Sequence, residues 1–289
     1  MEKCGLILAG GQATRLLPIT KSVNKHLLPV YSKPMIYYPL STLMISGIRQ
    51  VIIVIDPDHI SNFKKLLGDG SDFGIEIKFC FQENPDGLAN AVYTAKEIAK
   101  NSELEVILGD NVFFGKGLEN LFHSIKGITD NALFTQKVNN PNNYGVLKRN
   151  ADNSPGVIIE KPEKFISNEA VLGLYFYDSD VFNFIEELKP SDRNELEITD
   201  LNNLYLNQKK VEVIDIGRGI TWFDAGTIND LFSVSSFIQS IEVQQKTLIG
   251  SIEEIALRKN YISEKKFLDR AKIFSGSEYG KKLLEIIDN

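Results

Sequence analysis

Runs of aliphatic and β-branched residues alternate, through the first two thirds of the chain, with stretches whose apolar residues recur every three or four positions. The runs are CGLILAG, QVIIVID, IEIKFCFQ and LEVILGDN, and the helical patterns between them are KPMIYYPLSTLMISGI, HISNFKKLLGDG and LANAVYTAKEIAK. Short, continuously apolar strands separated by amphipathic helices are what a parallel sheet covered on both faces requires. The pattern therefore predicts an α/β protein built on a doubly wound, mostly parallel sheet. Ligands of such sheets sit beyond the carboxyl ends of the strands. This directs attention to the residues after each run: Gly10 to Arg15, Asp56, Gln82 to Gly87, and Asp110.

From about residue 131 the runs ALFTQKV, YGVLKR, GVIIEKP and AVLGLYFYD follow one another closely, with loops rich in Asn, Pro and Asp. They predict a partly antiparallel addition that makes the sheet mixed and carries a second half of the site. After KVEVIDIG and ITWFDAG, Thr227 stands as an N-cap before a helix with apolar residues at Ile228, Leu231, Val234, Ile238 and Ile241. The remainder is helical and charge-rich. No repeat or Gly/Ser linker interrupts the chain, so residues 1–130, 131–227 and 228–289 read as parts of one unit.

Composition adds exclusions. Across 289 residues the hydrophobic share is 43%, the charged share 24% and the net charge -6, which offers no global attraction to nucleic acid or an anionic membrane. Any phosphate site must be local. The first apolar run is too short and too weakly basic for a signal peptide, and no stretch reaches the roughly 18 apolar residues of a membrane span. A soluble, cytoplasmic protein is expected, with Cys4 and Cys80 as buried free thiols in strand-like segments.

The glycine turn after the first run matches neither the dinucleotide fingerprint nor the P-loop. It continues through Gln12, Ala13, Thr14 and Arg15 to Pro18, Lys21 and Lys25. Its N–H groups can form an anion nest with Arg15 and Lys25 supplying charge; a tight corner with solvated basic residues fits the stretch equally. Asp110, at the end of VILGD, and Asp224, in WFDAG, suit a Mg²⁺ site shared with phosphates, or turns and caps. Glu160 and Lys161 are neighbours on a strand and point to opposite faces unless the strand ends there, as Pro162 permits. Glu195, Glu197 and Asp200 in NELEITD read as a site or as a solvated acidic face. His26, His59 and His123 have no metal-binding spacing, and no G-x-S-x-G elbow is present.

Taken in order, LILAGGQATRLLPITKSVNKHLLPV, KPMIYYPLSTLM, LLGDGSDFGI, QENPDGLANA, LGDN, EKP, GLYFYD, ELEITD and DAGT resemble the glucose-1-phosphate thymidylyltransferases, and SIEEIALRKNYI resembles the tail of the longer members. The likeness covers nearly the whole chain. It implies a Rossmann-like nucleotidyltransferase fold and a Mg²⁺-dependent reaction of dTTP with α-D-glucose 1-phosphate that yields dTDP-glucose and pyrophosphate for deoxysugar and surface glycan synthesis. It also implies a homotetramer inhibited by a nucleotide sugar or pathway end product. Another hexose 1-phosphate, another nucleoside triphosphate, or a weakly active nucleotide-sugar-binding homologue are the alternatives.

By the same matching, Arg15 and Lys25 neutralise the triphosphate, Asp110 and Asp224 hold Mg²⁺, Lys161 binds the sugar phosphate and Glu160 the sugar hydroxyls. Leu8, Gly10, Gly11, Gln82, Pro85 and Gly87 surround the nucleotide. Tyr144, Gly145, Val171 and Tyr175 lie near the sugar, with Glu197, Thr199 and Trp222 as its outer wall. Arg218, Glu254 and Arg258 fall at the regulatory interface. The chain departs from the family pattern at Ala13, Ile159, Leu172 and Ala225, and three of these departures are expected to reshape the pocket or alter its hydrogen bonds.

Overall fold

The computed structural model describes residues 2–288 apart from Gln12, Pro85, 126–128 and Lys209. Pro85, one of the expected base-site residues, thus lies outside the described residues. The chain begins with β1 (Lys3–Ala9), β2 (Pro29–Val30), β3 (Lys33–Pro34), α1 (Tyr37–Ser46), β4 (Gln50–Ile55), α2 (Ile60–Leu67), β5 (Glu76–Phe81), α3 (Leu88–Tyr93), α4 (Lys96–Ala99) and β6 (Glu103–Leu108). Strands β5, β4, β1 and β6 lie side by side and parallel. Strand alternation is legible in the core: Ile7 and Ala9 of β1 pack on one face of the sheet, Cys4, Leu6 and Leu8 on the other. The doubly wound architecture follows from that two-sided burial.

Next come β7 (Asn111–Phe114), α5 (Leu118–Ile125), β8 (Ala132–Lys137), β9 (Gly145–Arg149), β10 (Pro155–Glu160), β11 (Glu169–Tyr177), α6 (Val181–Glu187), α7 (Ile198–Asn207), β12 (Glu212–Asp215) and β13 (Thr221–Asp224). β11 joins the parallel part by pairing antiparallel with β6, and β8, β9, β10 and β12 extend the sheet from it. β7 and β13 form a separate antiparallel ribbon. The chain runs outward from β1 to β4 and β5, then returns to place β6 on the other side of β1. The crevice of this reversal lies between the ends of β1 and β6, where Gly109 donates its N–H to the Leu8 carbonyl at 2.9 Å.

The single helix expected over LANAVYTAKEIAK breaks between α3 and α4. Thr94 Oγ1 donates to the Ala91 carbonyl at 2.7 Å, a local bond of the kind that competes with the helical ladder. The C-terminal part is α8 (Ile228–Gln245), α9 (Ile252–Arg258), α10 (Glu264–Ile273) and α11 (Glu278–Asp288). Thr227 caps α8 as expected, accepting from the Asp230 N–H at 3.2 Å, and Val234 and Ile238 of the predicted stripe are buried. A buried ion pair, Lys33 Nζ to Glu242 Oε1 at 2.8 Å, ties α8 to the β2–β3 hairpin. Cys4 and Cys80 are buried and free. Among the described residues no helix is long and apolar enough to cross a membrane.

Candidate active site

A cavity of about 270 Å³ occupies the crevice beyond β1 and β6. All five expected charged residues, Arg15, Lys25, Asp110, Lys161 and Asp224, line it. Their convergence has identifiable local causes. Asn24 caps a 3-10 turn over Lys25–Leu27 by accepting from the His26 N–H at 2.9 Å, and this turn carries Lys25 to the end of β6. There Lys25 Nζ meets Asp110 Oδ2 at 2.5 Å, with both side chains nearly buried. The β7–β13 ribbon pairs Asp224 with Asn111, and Ala225 donates its N–H to the Asp110 carbonyl at 2.9 Å, which brings the two aspartates together. A Cβ added to Gly226 would stand 2.8 Å from Asp224 Oδ1 and 3.1 Å from Arg15 Nη2, so this glycine leaves room for both side chains.

The EKP segment resolves the geometric objection raised by strand alternation. β10 ends at Glu160, and Lys161 turns into left-handed backbone at φ 41° while its N–H bonds the Tyr144 carbonyl at 3.0 Å. Both side chains therefore reach the cavity, with Lys161 Nζ 3.3 Å from Glu160 Oε1. Thr199 Oγ1 donates to Glu160 Oε2 at 2.7 Å. Gly145 lies opposite; a side chain there would crowd Glu160 and Thr199. Tyr144, Val171, Tyr175 and Trp222 complete this end.

A second cavity of about 170 Å³ shares Leu8 and Gly10 with the first and is lined by Gly11, Gln82 and Gly87. Gln82 Nε2 donates to the Gly87 carbonyl at 3.1 Å. Gly87 has φ 100°, and a Cβ there would fall 2.3 Å from the Leu196 carbonyl oxygen. The close approach is fixed by two backbone bonds, Leu196 N–H to Asp86 at 2.8 Å and Ala89 N–H to Leu196 at 3.0 Å. They bring Glu195 to this cavity.

Not every expected residue joins. Glu197 is absent from the described lining of both cavities, because its carboxylate is taken by Ser191 Oγ at 2.8 Å and Arg193 Nη2 at 2.8 and 2.9 Å. Ile159, Leu172 and Ala225 do not line them either: Leu172 and Ala225 are fully buried in core clusters, Leu172 on the opposite side of β11 from Val171 and Gly173. None of these three departures is among the described lining residues. Glu254 is buried and paired with Arg258 at 2.6 Å, whereas Arg218 is exposed in the turn between β12 and β13. Among the described residues no ion pair joins Arg218 to them.

Asn111, not anticipated as a site residue, is the hub of the wall. Its Nδ2 donates to Asp110 Oδ1 at 3.0 Å, while its Oδ1 accepts from Trp222 Nε1 at 2.6 Å and from the Gly173 N–H at 3.2 Å. Trp222 in turn packs edge-on against Tyr144. The sequence signals this residue only as the last letter of LGDN. Leu88, Asn143 and Asn202 also line the cavity without a distinguishing pattern.

The field inside is polarised. Burial pushes Asp224 up, and the neighbouring Asp110 charge adds to it, so its carboxyl titrates at about 7. Asp110 goes the other way: burial opposes its ionisation, but the Lys25 charge together with hydrogen bonds from Lys25 and Asn111 holds it below the usual carboxylate range. His26, buried beside Lys25, is pushed down to about 3 and stays neutral. Two converging carboxylates, one of them strained by the other's charge, fit a divalent cation that takes its remaining ligands from phosphates and water. Among the described residues no cluster of three or more His, Cys, Asp or Glu offers a metal cage.

Residues 4–241 match the family model of the nucleotidyl transferases. The chain is 44% identical over 284 residues to the glucose-1-phosphate thymidylyltransferase of Neisseria meningitidis serogroup A, covering 98% of this chain and 99% of that protein. Identity to the glucose-1-phosphate thymidylyltransferase of Mycolicibacterium smegmatis is 42%, with the same coverage. Among solved structures, a Bacillus anthracis protein described as a glucose-1-phosphate thymidylyltransferase, in complex with sucrose, superposes with a TM-score of 0.75 at 36% identity, covering 81% of this chain and 94% of that one. A UDP-glucose pyrophosphorylase bound to UDP-glucose shares the fold, with a TM-score of 0.73 at 24% identity, over 83% of this chain and 99% of the other. The chain belongs to the nucleotidyl transferase family, among its glucose-1-phosphate thymidylyltransferases.

Proposed function

We propose that the protein transfers the thymidylyl group of dTTP to α-D-glucose 1-phosphate, giving dTDP-glucose and pyrophosphate. The carrying observation is the convergence of Arg15, Lys25 and Lys161 with the Asp110 and Asp224 carboxylates on one cavity that adjoins the Gln82–Gly87 cavity. Residues 1–130 supply the nucleotide half, 131–227 the sugar-phosphate half, and 228–289 the interface of a homotetramer. Arg218, Glu254 and Arg258 would serve a regulatory site there that takes a nucleotide sugar or end product.

In this reading the base lies against Leu8, Gly10, Gly11, Gln82 and Gly87, and the triphosphate runs along the loop to Arg15. Lys161 holds the sugar phosphate, and Glu160 and Thr199 accept and orient sugar hydroxyls. A phosphate oxygen of the sugar attacks the α-phosphorus as the bond to the bridging oxygen breaks, and that oxygen departs with the bonding electrons on pyrophosphate. The attacking phosphate is already ionised near neutral pH, so no general base is needed. Neutral His26 therefore serves as packing beside Lys25. Asp110 and Asp224 would hold Mg²⁺, whose charge, when bound, offsets that of the reacting phosphates. The residues act by placing two anions in line and neutralising them.

The test is pyrophosphate release with each common nucleoside triphosphate against a panel of sugar 1-phosphates, with and without Mg²⁺. Greatest turnover is expected for dTTP with glucose 1-phosphate in the presence of Mg²⁺. Nucleotide-sugar binding without turnover for any pair would overturn the reading.

A further inference from the structure

Asn202 of α7 lines the central cavity at 1% exposure, and the transfer as described gives it no part. Its amide is clamped from behind. The Tyr177 hydroxyl donates to Asn202 Oδ1 at 2.5 Å. Tyr177 is itself fully buried, with the Tyr175 ring stacked 6.0 Å away and the Tyr205 ring tilted against it at 5.2 Å, so the phenol is held in place. Burial pushes that phenol far above its ordinary range, and it keeps the proton it donates. The helix is fixed by the next residue. Asn203 Oδ1 accepts from the Ile158 N–H at 2.8 Å and its Nδ2 donates to the Ile158 carbonyl at 2.9 Å, which ties α7 to β10.

The other end of the amide is left over. Among the described residues Asn202 Nδ2 has no acceptor, yet it is not one of the atoms sealed inside the protein without a partner. Leaving a buried amide unpaired is costly, so a donor kept on a cavity wall argues for an acceptor that arrives there. The carboxylates on the same cavity, Glu160 among them, favour turning the donor end of the amide inward. Thr199, one turn earlier on the same face of α7, gives its own proton to Glu160 Oε2 at 2.7 Å. Asn202 therefore faces the part of the cavity proposed for the sugar, with its acceptor committed and its donor free.

We propose that Asn202 Nδ2 donates a hydrogen bond to a hydroxyl oxygen of the sugar at the Glu160 end of the cavity, and so selects for a hydroxyl at that ring position. The inference rests on the nucleotidyl-transfer reading above. A hydroxyl can accept from the amide and still give its proton to a carboxylate. A methylene does neither, and an acylamino nitrogen donates without accepting, so both leave Asn202 unpaired. Tyr177 is a positioning residue that acts through Asn202, because its bond to Oδ1 decides which end of the amide the sugar meets.

The test measures kcat/KM of the full chain for glucose 1-phosphate and each of its monodeoxy analogues, in wild type, Asn202→Leu and Tyr177→Phe, each checked by its melting curve. In Asn202→Leu the value for glucose 1-phosphate should fall about tenfold, the equivalent of one hydrogen bond, with the KM for dTTP unmoved. The penalty that wild type imposes on one deoxy position should shrink by the same factor, while the penalties at the other positions stay. Tyr177→Phe, which only frees the amide to turn, should shrink the penalty at that same position by less, and it decides the matter if Asn202→Leu does not fold. An equal loss on every analogue, or no change on any, is what a purely structural role would give and overturns the proposal. If wild type turns over no substrate pair, calorimetric titration of dTDP-glucose and its monodeoxy analogues reads the same coupling as affinity. A position-selective loss there would keep Asn202 in the sugar site and remove the transfer reading instead, and the lack of one would overturn both.

Discussion

Lys25 Nζ and Asp110 Oδ2 meet at 2.5 Å at the end of β6, with side-chain exposures of 14% and 12%. The pair keeps an anion and a cation side by side in the cavity proposed as the reacting centre. Neither group can be removed without leaving the other partly desolvated and unpaired. For Lys25→Met and Asp110→Asn we expect kcat to fall by roughly 10²–10³ while the fold persists, a loss of the size seen when one preorganised charge-stabilising group is deleted. Steady-state pyrophosphate release and circular dichroism together check this. Near-wild-type turnover in Asp110→Asn would falsify its place in the site.

Asp224 makes a pH-dependent contribution of unusual sign. Its carboxyl titrates at about 7 in the folded, ligand-free chain, raised by burial and by Asp110, against about 4 when unfolded. The folded state therefore binds the proton more tightly, and stability is lost as pH rises between those values. Asp224→Asn should melt higher than wild type at pH 8 and nearly alike at pH 4, even though turnover is lost. A variant less stable than wild type at pH 8 would show that Asp224 is not strained.

Gly226 separates space from backbone strain, since the atoms nearest an added Cβ are the side-chain ends of Asp224 and Arg15. Gly226→Ala should lower kcat by pushing those groups apart, with a melting temperature equal to or above that of wild type because alanine restricts the unfolded chain. Retained kcat would mean that both ends shift at no catalytic cost.

Ala13 occupies left-handed backbone at φ 45°, ψ 45°. That conformation costs an alanine roughly 1–2 kcal/mol, part of which glycine would return through its looser unfolded state. Ala13→Gly is expected to stabilise the protein by about 1 kcal/mol at most, read by denaturant unfolding. Destabilisation would contradict the loop geometry.

Leu172 packs fully buried in the core on the far side of β11 from the cavity. Leu172→Thr should therefore cost about 2–3 kcal/mol through lost apolar burial and a desolvated hydroxyl, yet leave the ranking of sugar 1-phosphates unchanged. A change in that ranking would place the residue in the sugar site.

The sequence by itself determined the parallel core. The continuous apolar runs of β1 and β4, the periodic helices between strands and the rule that ligands sit past strand ends sufficed to single out Gly10 to Arg15, Gln82 to Gly87 and Asp110, because each depends on contacts near in sequence or on the pleat itself. Thr227 was equally legible, since a cap is made within one turn of its helix. Tertiary structure decided what lies across a gap. Asp224 reaches Asp110 only because β13 pairs with β7; Glu160 and Lys161 share a cavity only because Lys161 turns left-handed; and Glu197 is held outside by Arg193, which no periodicity announces. Asn111 could not be told from any other strand residue until Trp222 and Gly173 were seen to bond it. Local rules fix a residue's own backbone and the face it presents, while the partner it finds there is set by register and crossover, which are properties of the folded chain.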